Sequence, residues 1–167
     1  MSARDSFEFN AMPQGRGVGV LLVDFHELAV RDFHSRVEKL KGSGLVARVD
    51  STPLAGASWT LETFRPRVVF VRLREPHMRA EHSAPMDAFL GHAAALRALT
   101  VIPIVSQRSV IDHFRHHLSL TSPMYLGSAF AQEDLVNILE SCGSSRSVAR
   151  AWRPRAQVPT ELKVASL

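Results

Sequence analysis

Short apolar runs that alternate with helical periodicity constrain this chain more than any other feature. Gly17-Val-Gly-Val-Leu-Leu-Val23 is continuously apolar and stops at Asp24, the pattern of a strand buried on both faces. Leu28, Val30, Phe33, Val37 and Leu40 follow at roughly helical spacing, and Gly42 and Gly44 close that segment. Leu45 to Val49 is a second strand candidate. Thr52-Pro53 opens a helix, proline being tolerated at its first position, and Arg65-Pro66 ends it just past Phe64. Val68 to Leu73 reads as a third strand, residues 75 to 84 as a polar loop, and Pro85 to Leu99 as an Ala- and Leu-rich helix. Val101-Ile-Pro-Ile-Val105 is a fourth strand, in which Pro103 lacks a ladder donor; a late start or an irregularity is expected there. Ser109 to Leu118 reads as a shorter helix, Met124-Tyr-Leu126 as the last strand and Ala131 to Ser141 as the last helix.

Strands alternating with helices imply parallel pairing through right-handed crossovers. The expected fold is a doubly wound, three-layer α/β/α domain around a five-stranded parallel sheet. In such folds ligands sit at the carboxyl ends of the strands, where the strand order reverses. That rule directs attention to Asp24, Phe25, Arg72, Arg74, Ser106, Gly127 and Ser128.

The 167 residues suit one domain, at 17 to 142, with a flexible lead at 1 to 16 and a basic tail at 143 to 167. A single cysteine, Cys142, rules out a disulfide framework and a cysteine-based zinc site. No apolar leader segment stands at residues 1 to 17 and no run approaches about 20 apolar residues. A cytoplasmic protein without membrane contact is the expectation. The net charge of +4 is a weak pointer to an anionic partner.

Three segments carry a resemblance. Leu21-Leu-Val-Asp-Phe-His-Glu-Leu28, Val69 to Met78, and Tyr125-Leu-Gly-Ser-Ala-Phe130 followed by Gln-Glu-Asp-Leu stand in the order and spacing of a response-regulator receiver domain. The chain resembles that chemotaxis-type, flavodoxin-like family over about residues 17 to 142. The resemblance places Asp24 and Phe25 where receivers carry an acidic pair, and Arg72 where they carry the phosphoacceptor aspartate. Ser106 falls at the hydroxyl position, Ser128 at the lysine position, Ala129 at the following proline and Tyr125 at the switch aromatic.

These departures remove the family's chemistry. Magnesium needs hard oxygen ligands, which receivers draw largely from three carboxylates; one carboxylate beside a guanidinium does not hold it. Arg72 offers no nucleophile for an acyl phosphate, and Ser128 no cation for the phosphoryl oxygens. The resemblance thus implies a degenerate pseudo-receiver. Asp24 and Arg72 would lie on neighbouring strands, where a salt bridge can freeze one conformation at little net gain in stability; the alternative is an Arg72 that runs out to solvent. Ser106 and Tyr125 could keep a two-state surface biased by a partner, or Tyr125 packs at the edge of the core.

Other motifs are incomplete. His113 and His117 are spaced as a zinc pair in Asp112-His-Phe-Arg-His-His117 but lack further ligands, so no metal site and no cofactor is expected. Asp24-Phe-His26 resembles the start of a cobalamin-binding motif whose glycine position is Ala29. The glycines at 15, 17 and 19 precede the strand rather than follow it, which excludes a dinucleotide fingerprint. No nucleophile–base set is evident, so the chain is not expected to be an enzyme.

The expected function is a phosphorylation-independent protein–protein interaction module in signalling or transcriptional regulation. Its docking or homodimer face would be the fourth helix, last strand and last helix, with Phe114, His117, Tyr125 and Phe130 as candidate contacts. Two other readings stand. One is a small-molecule-gated receiver, whose former phosphorylation pocket Phe25 makes more apolar. The other is a nucleic-acid-associated regulator, in which Arg146, Arg150, Trp152, Arg153 and Arg155 of the tail contact nucleic acid or an acidic surface.

Overall fold

A computed structural model of the chain describes residues 17–96, 99–121 and 124–143. Five strands and five helices alternate: β1 (Val18–Val23), α1 (Glu27–Lys41), β2 (Val46–Thr52), α2 (Leu54–Phe64), β3 (Val68–Arg72), α3 (Ala80–Ala95), β4 (Thr100–Val105), α4 (Arg108–Thr121), β5 (Leu126–Gly127) and α5 (Gln132–Gly143). The strands form one parallel sheet in the order β2-β1-β3-β4-β5.

Side chains alternate across the sheet, so each strand feeds two cores. Val20 and Leu22 of β1 and Phe70 of β3 pack with Phe33 and Val37 of α1 and with Leu135 and Leu139 of α5. Leu21 and Val23 of β1 and Val69 and Val71 of β3 pack with Leu61 of α2, Phe89 and Leu90 of α3, and Val110 and Phe114 of α4. Burial on both faces explains why β1, β3 and β4 are continuously apolar rather than alternating. The outer strand β2 is largely exposed and carries Arg48 and Asp50, charges that discourage pairing with another edge.

Several boundaries differ from the sequence expectation; the last strand is Leu126–Gly127 rather than residues 124 to 126, and α4 spans Arg108–Thr121 rather than residues 109 to 118. β2 runs on to Thr52, because its backbone pairs with β1 through Val23 although its side chains are polar. Residues 75–84 are not a loop: a 3-10 turn spans Glu75–Met78 and α3 begins at Ala80. Pro85 therefore lies inside α3, where it costs one backbone hydrogen bond near an end held by bonds from His82 and Ser83 to the Arg79 carbonyl. Pro103 sits within an unbroken β4, opposite Val71 of β3. β5 pairs only with Ile104 and Val105, so no bond is asked of Pro103 on that side.

Among the described residues, no helix is long and apolar enough to cross a membrane. The expected lead and the tail beyond Gly143, with Arg146, Arg150, Trp152, Arg153 and Arg155, lie outside the described residues.

Candidate functional site

The chain leaves β1 for β2 on one side and reaches β3 on the other, so the crevice of the sheet opens between the carboxyl ends of β1 and β3. The last residues of the β1–β3 ladder are Val23 and Val71. Asp24 and Arg72 are the next pair in register, and each has the parity of the α1/α5 face, shared with Leu22 and Phe70. Register and pleat together therefore aim the two side chains at each other.

They meet in a buried ion pair. Arg72 Nε donates to Asp24 Oδ2 at 2.6 Å, and Arg74 Nη2 donates to Asp24 Oδ1 at 3.1 Å. The backbone amides of Phe25 and His26 also donate to Oδ1, at 2.8 and 3.1 Å. The Asp24 side chain is 1% exposed and that of Arg72 15%. Three of these donors share Oδ1 and one, Arg72 Nε, takes Oδ2, so most of the carboxylate's roughly four lone-pair sites are engaged. Two guanidinium charges lie against the group, and they oppose the approach of a further cation.

Arg74 extends the network. Its guanidinium lies 5.2 Å from the centre of the Phe25 ring, and its amide donates to His77 Nδ1 at 3.1 Å. Burial and the neighbouring Arg74 charge hold the His77 pKa below its ordinary value. Phe25 itself is 69% exposed. The turn that the Asp24 carboxylate holds carries Phe25 outward, so it does not line an apolar pocket as the sequence suggested.

Ser106 and Ser128 follow β4 and β5 and are exposed. The Ser128 amide donates to the Val105 carbonyl at 2.8 Å, but neither serine side chain joins the Asp24 network. Tyr125 is half-buried against the core shared by α2, α3 and α4. A cavity of about 640 Å³ opens at the other end of the sheet, lined by Leu61, Glu62, Arg65, Pro66, Arg67, Leu96 and Leu99, away from these residues.

Two expected contact residues are core instead. Phe114 is fully buried, between Val110 and Leu118 on the stripe of α4 that faces the sheet. Phe130 is buried in the α1/α5 core, with the Arg36 guanidinium 5.0 Å from its ring centre. Phe114 belongs to the apolar stripe of α4, whereas Phe130 lies in the turn before α5, and burial removes both from the surface. His117 is half-buried, with Nε2 3.1 Å from Asp87 Oδ1 on α3.

The sequence matches no family model and no curated protein, but solved structures share its fold. The signal receiver domain of NarL from Mycobacterium tuberculosis is 20% identical, with a TM-score of 0.53 over 78% of this chain and 98% of that one. A CheY-like protein, TadZ, from Pseudomonas aeruginosa is 10% identical, with a TM-score of 0.53 over 75% and 93%. The response regulatory domain of MrkE from Klebsiella pneumoniae is 8% identical, with a TM-score of 0.52 over 76% and 96%.

This chain has a receiver-like fold.

The sequence directed attention to Arg74 without giving it a role, and it passed over His77. The signal for Arg74 was available: it stands two residues beyond Arg72 and so shares its parity.

Proposed function

We propose that this receiver-like domain is a pseudo-receiver that works without phosphorylation, as a protein–protein interaction module in signalling or transcriptional regulation. One observation carries the proposal: the Asp24 carboxylate is buried and engaged by two guanidinium groups and two amides. A magnesium ion would have to displace an arginine from a site that offers it one carboxylate in place of several oxygen ligands. With Arg72 at the acceptor position, the domain is held in one state, and what remains to it is the binding of partners.

The partner surface we favour is the α4, β5 and α5 face, which can also serve a homodimer. Its exposed residues on α4 include Asp112, His113, Arg115 and His116, so its partners are selected by polar contacts rather than by Phe114 or Phe130. The role is binding rather than catalysis, in a cytoplasmic setting.

Amide spectra test this reading. Magnesium with beryllofluoride should leave the resonances of Asp24, Arg72 and Ser106 in place, and a small phosphodonor should add no mass to the protein. Shifts centred on Asp24, or a stable phosphoryl adduct on the folded domain, would overturn it.

A small-molecule-gated reading has one specific support. Two arginines face one carboxylate, and Arg74 Nε is buried without a partner. An anion that stabilises the protein in proportion to its concentration would establish that reading.

A further inference from the structure

We infer that Asp87, His116 and His117 form a three-ligand site for a divalent transition-metal ion of the zinc class, on the face shared by α3 and α4. The site is separate from the Asp24 network and does not depend on the reading proposed for it.

Rigid packing sets the three side chains together. Met86, Phe89 and Leu90 fix α3 against the sheet, and Val110, Phe114 and Leu118 fix α4. Asp87 follows Met86 at the edge of the buried stripe, while His116 and His117 lie on the part of α4 that faces it. One donor atom from each residue lies within 4.8 Å of the other two. His117 Nε2 and Asp87 Oδ1 are 3.1 Å apart. A tetrahedral zinc ion with bonds of about 2.0–2.1 Å needs donors separated by about 3.3–3.4 Å, so this edge of the polyhedron is nearly formed. The rings of His116 and His117 lie 3.9 Å apart, centre to centre, which keeps the third donor beside the other two.

The donor set selects the ion. Two imidazoles and one carboxylate suit zinc and its neighbours, whereas magnesium prefers an all-oxygen shell. Three protein ligands leave one position for water or for a donor from a bound partner. The i, i+4 pair visible in the sequence, His113 and His117, is not the one assembled: the His113 ring packs edge-on against Phe114.

Calorimetric titration of the full chain, stripped with EDTA, with zinc chloride tests the site. The expected result is saturable binding of one ion per chain at micromolar zinc. Asp87→Asn, His116→Gln and His117→Gln should each weaken it by at least about tenfold, and His113→Gln should leave it unchanged. Cobalt in place of zinc should give the intense visible absorption of a four-coordinate ion. Circular dichroism of each variant confirms folding, and the exposed His116 can be replaced without disturbing the core. Absence of saturable binding would overturn the inference. So would binding that survives Asp87→Asn and His116→Gln but is lost with His113→Gln, because the i, i+4 pair would then be the ligand set.

Discussion

Removing either partner of the Asp24–Arg72 pair should destabilise the fold far more than the pair itself stabilises it. At 2.6 Å and an effective dielectric of about 20, the attraction amounts to about 6 kcal/mol. Taking both ions out of water costs several kcal/mol each, so the intact pair contributes close to nothing net. Truncation is different, because it leaves one charge half-desolvated and uncompensated, at a typical cost of about 3–5 kcal/mol. Arg72→Met leaves Asp24 with Arg74 and two amides, which places the expected loss lower, at about 2–3 kcal/mol. Asp24→Asn keeps an oxygen for the amides of Phe25 and His26 but strands Arg72, at a similar cost of about 2–3 kcal/mol. The double variant should lose about 3–4 kcal/mol instead of the sum, a coupling of about 1–2 kcal/mol. Urea unfolding followed by far-UV circular dichroism, with equal slopes across the four proteins, measures this cycle. Raising the salt to about 1 M should barely change the coupling, since buried pairs are little screened. A coupling below about 0.5 kcal/mol, or one that vanishes with salt, would show that Arg72 lies in solvent and that the pocket is not locked.

Three further outcomes follow from other parts of the molecule. His77 is held neutral by burial and by Arg74, and its Nδ1 accepts the Arg74 amide. Its folded pKa thus lies below the unfolded value of 6.5, so its contribution is fully present above 6.5 and is lost as the pH falls through the folded value. Urea melts from neutral to acidic pH should show that loss, and His77→Gln should reduce the slope below pH 6.5. Burial raises the Cys142 thiol pKa, so a disulfide reagent should react with the native protein far more slowly than with the urea-unfolded chain. Phe114→Ala should cost about 3–5 kcal/mol, whereas Trp59→Ala, at a side chain 71% exposed, should stay within about 0.5 kcal/mol; calorimetric melting separates the two.

Much of this protein is legible in its sequence. The apolar runs at Val18–Val23 and Val68–Arg72 are too short to span a membrane and too continuous for a half-exposed sheet, and alternation with helices leaves a doubly wound parallel sheet as the consistent solution. The polarity of the site is legible too, because the residue that follows each run, or ends it, stands at the carboxyl edge of the sheet: Asp24 for β1 and Arg72 for β3.

Other features depended on long-range packing. Pro85 marks a helix start by local rules, yet α3 begins at Ala80, where the chain is held by the Arg79 carbonyl and by contacts below it. Phe114 and Phe130 are apolar in any reading, but only the packing of α4 and α5 on the sheet decides that they are interior. The ion pairs of Asp24 require Arg72 and Arg74, 48 and 50 residues away, and the approach of Asp87 to His117 spans 30 residues. Local pattern determines which face of each element is apolar, because that face depends on residues a turn or two apart. Which polar groups meet is decided by strand register and helix packing, which exist only once the distant segments have come together.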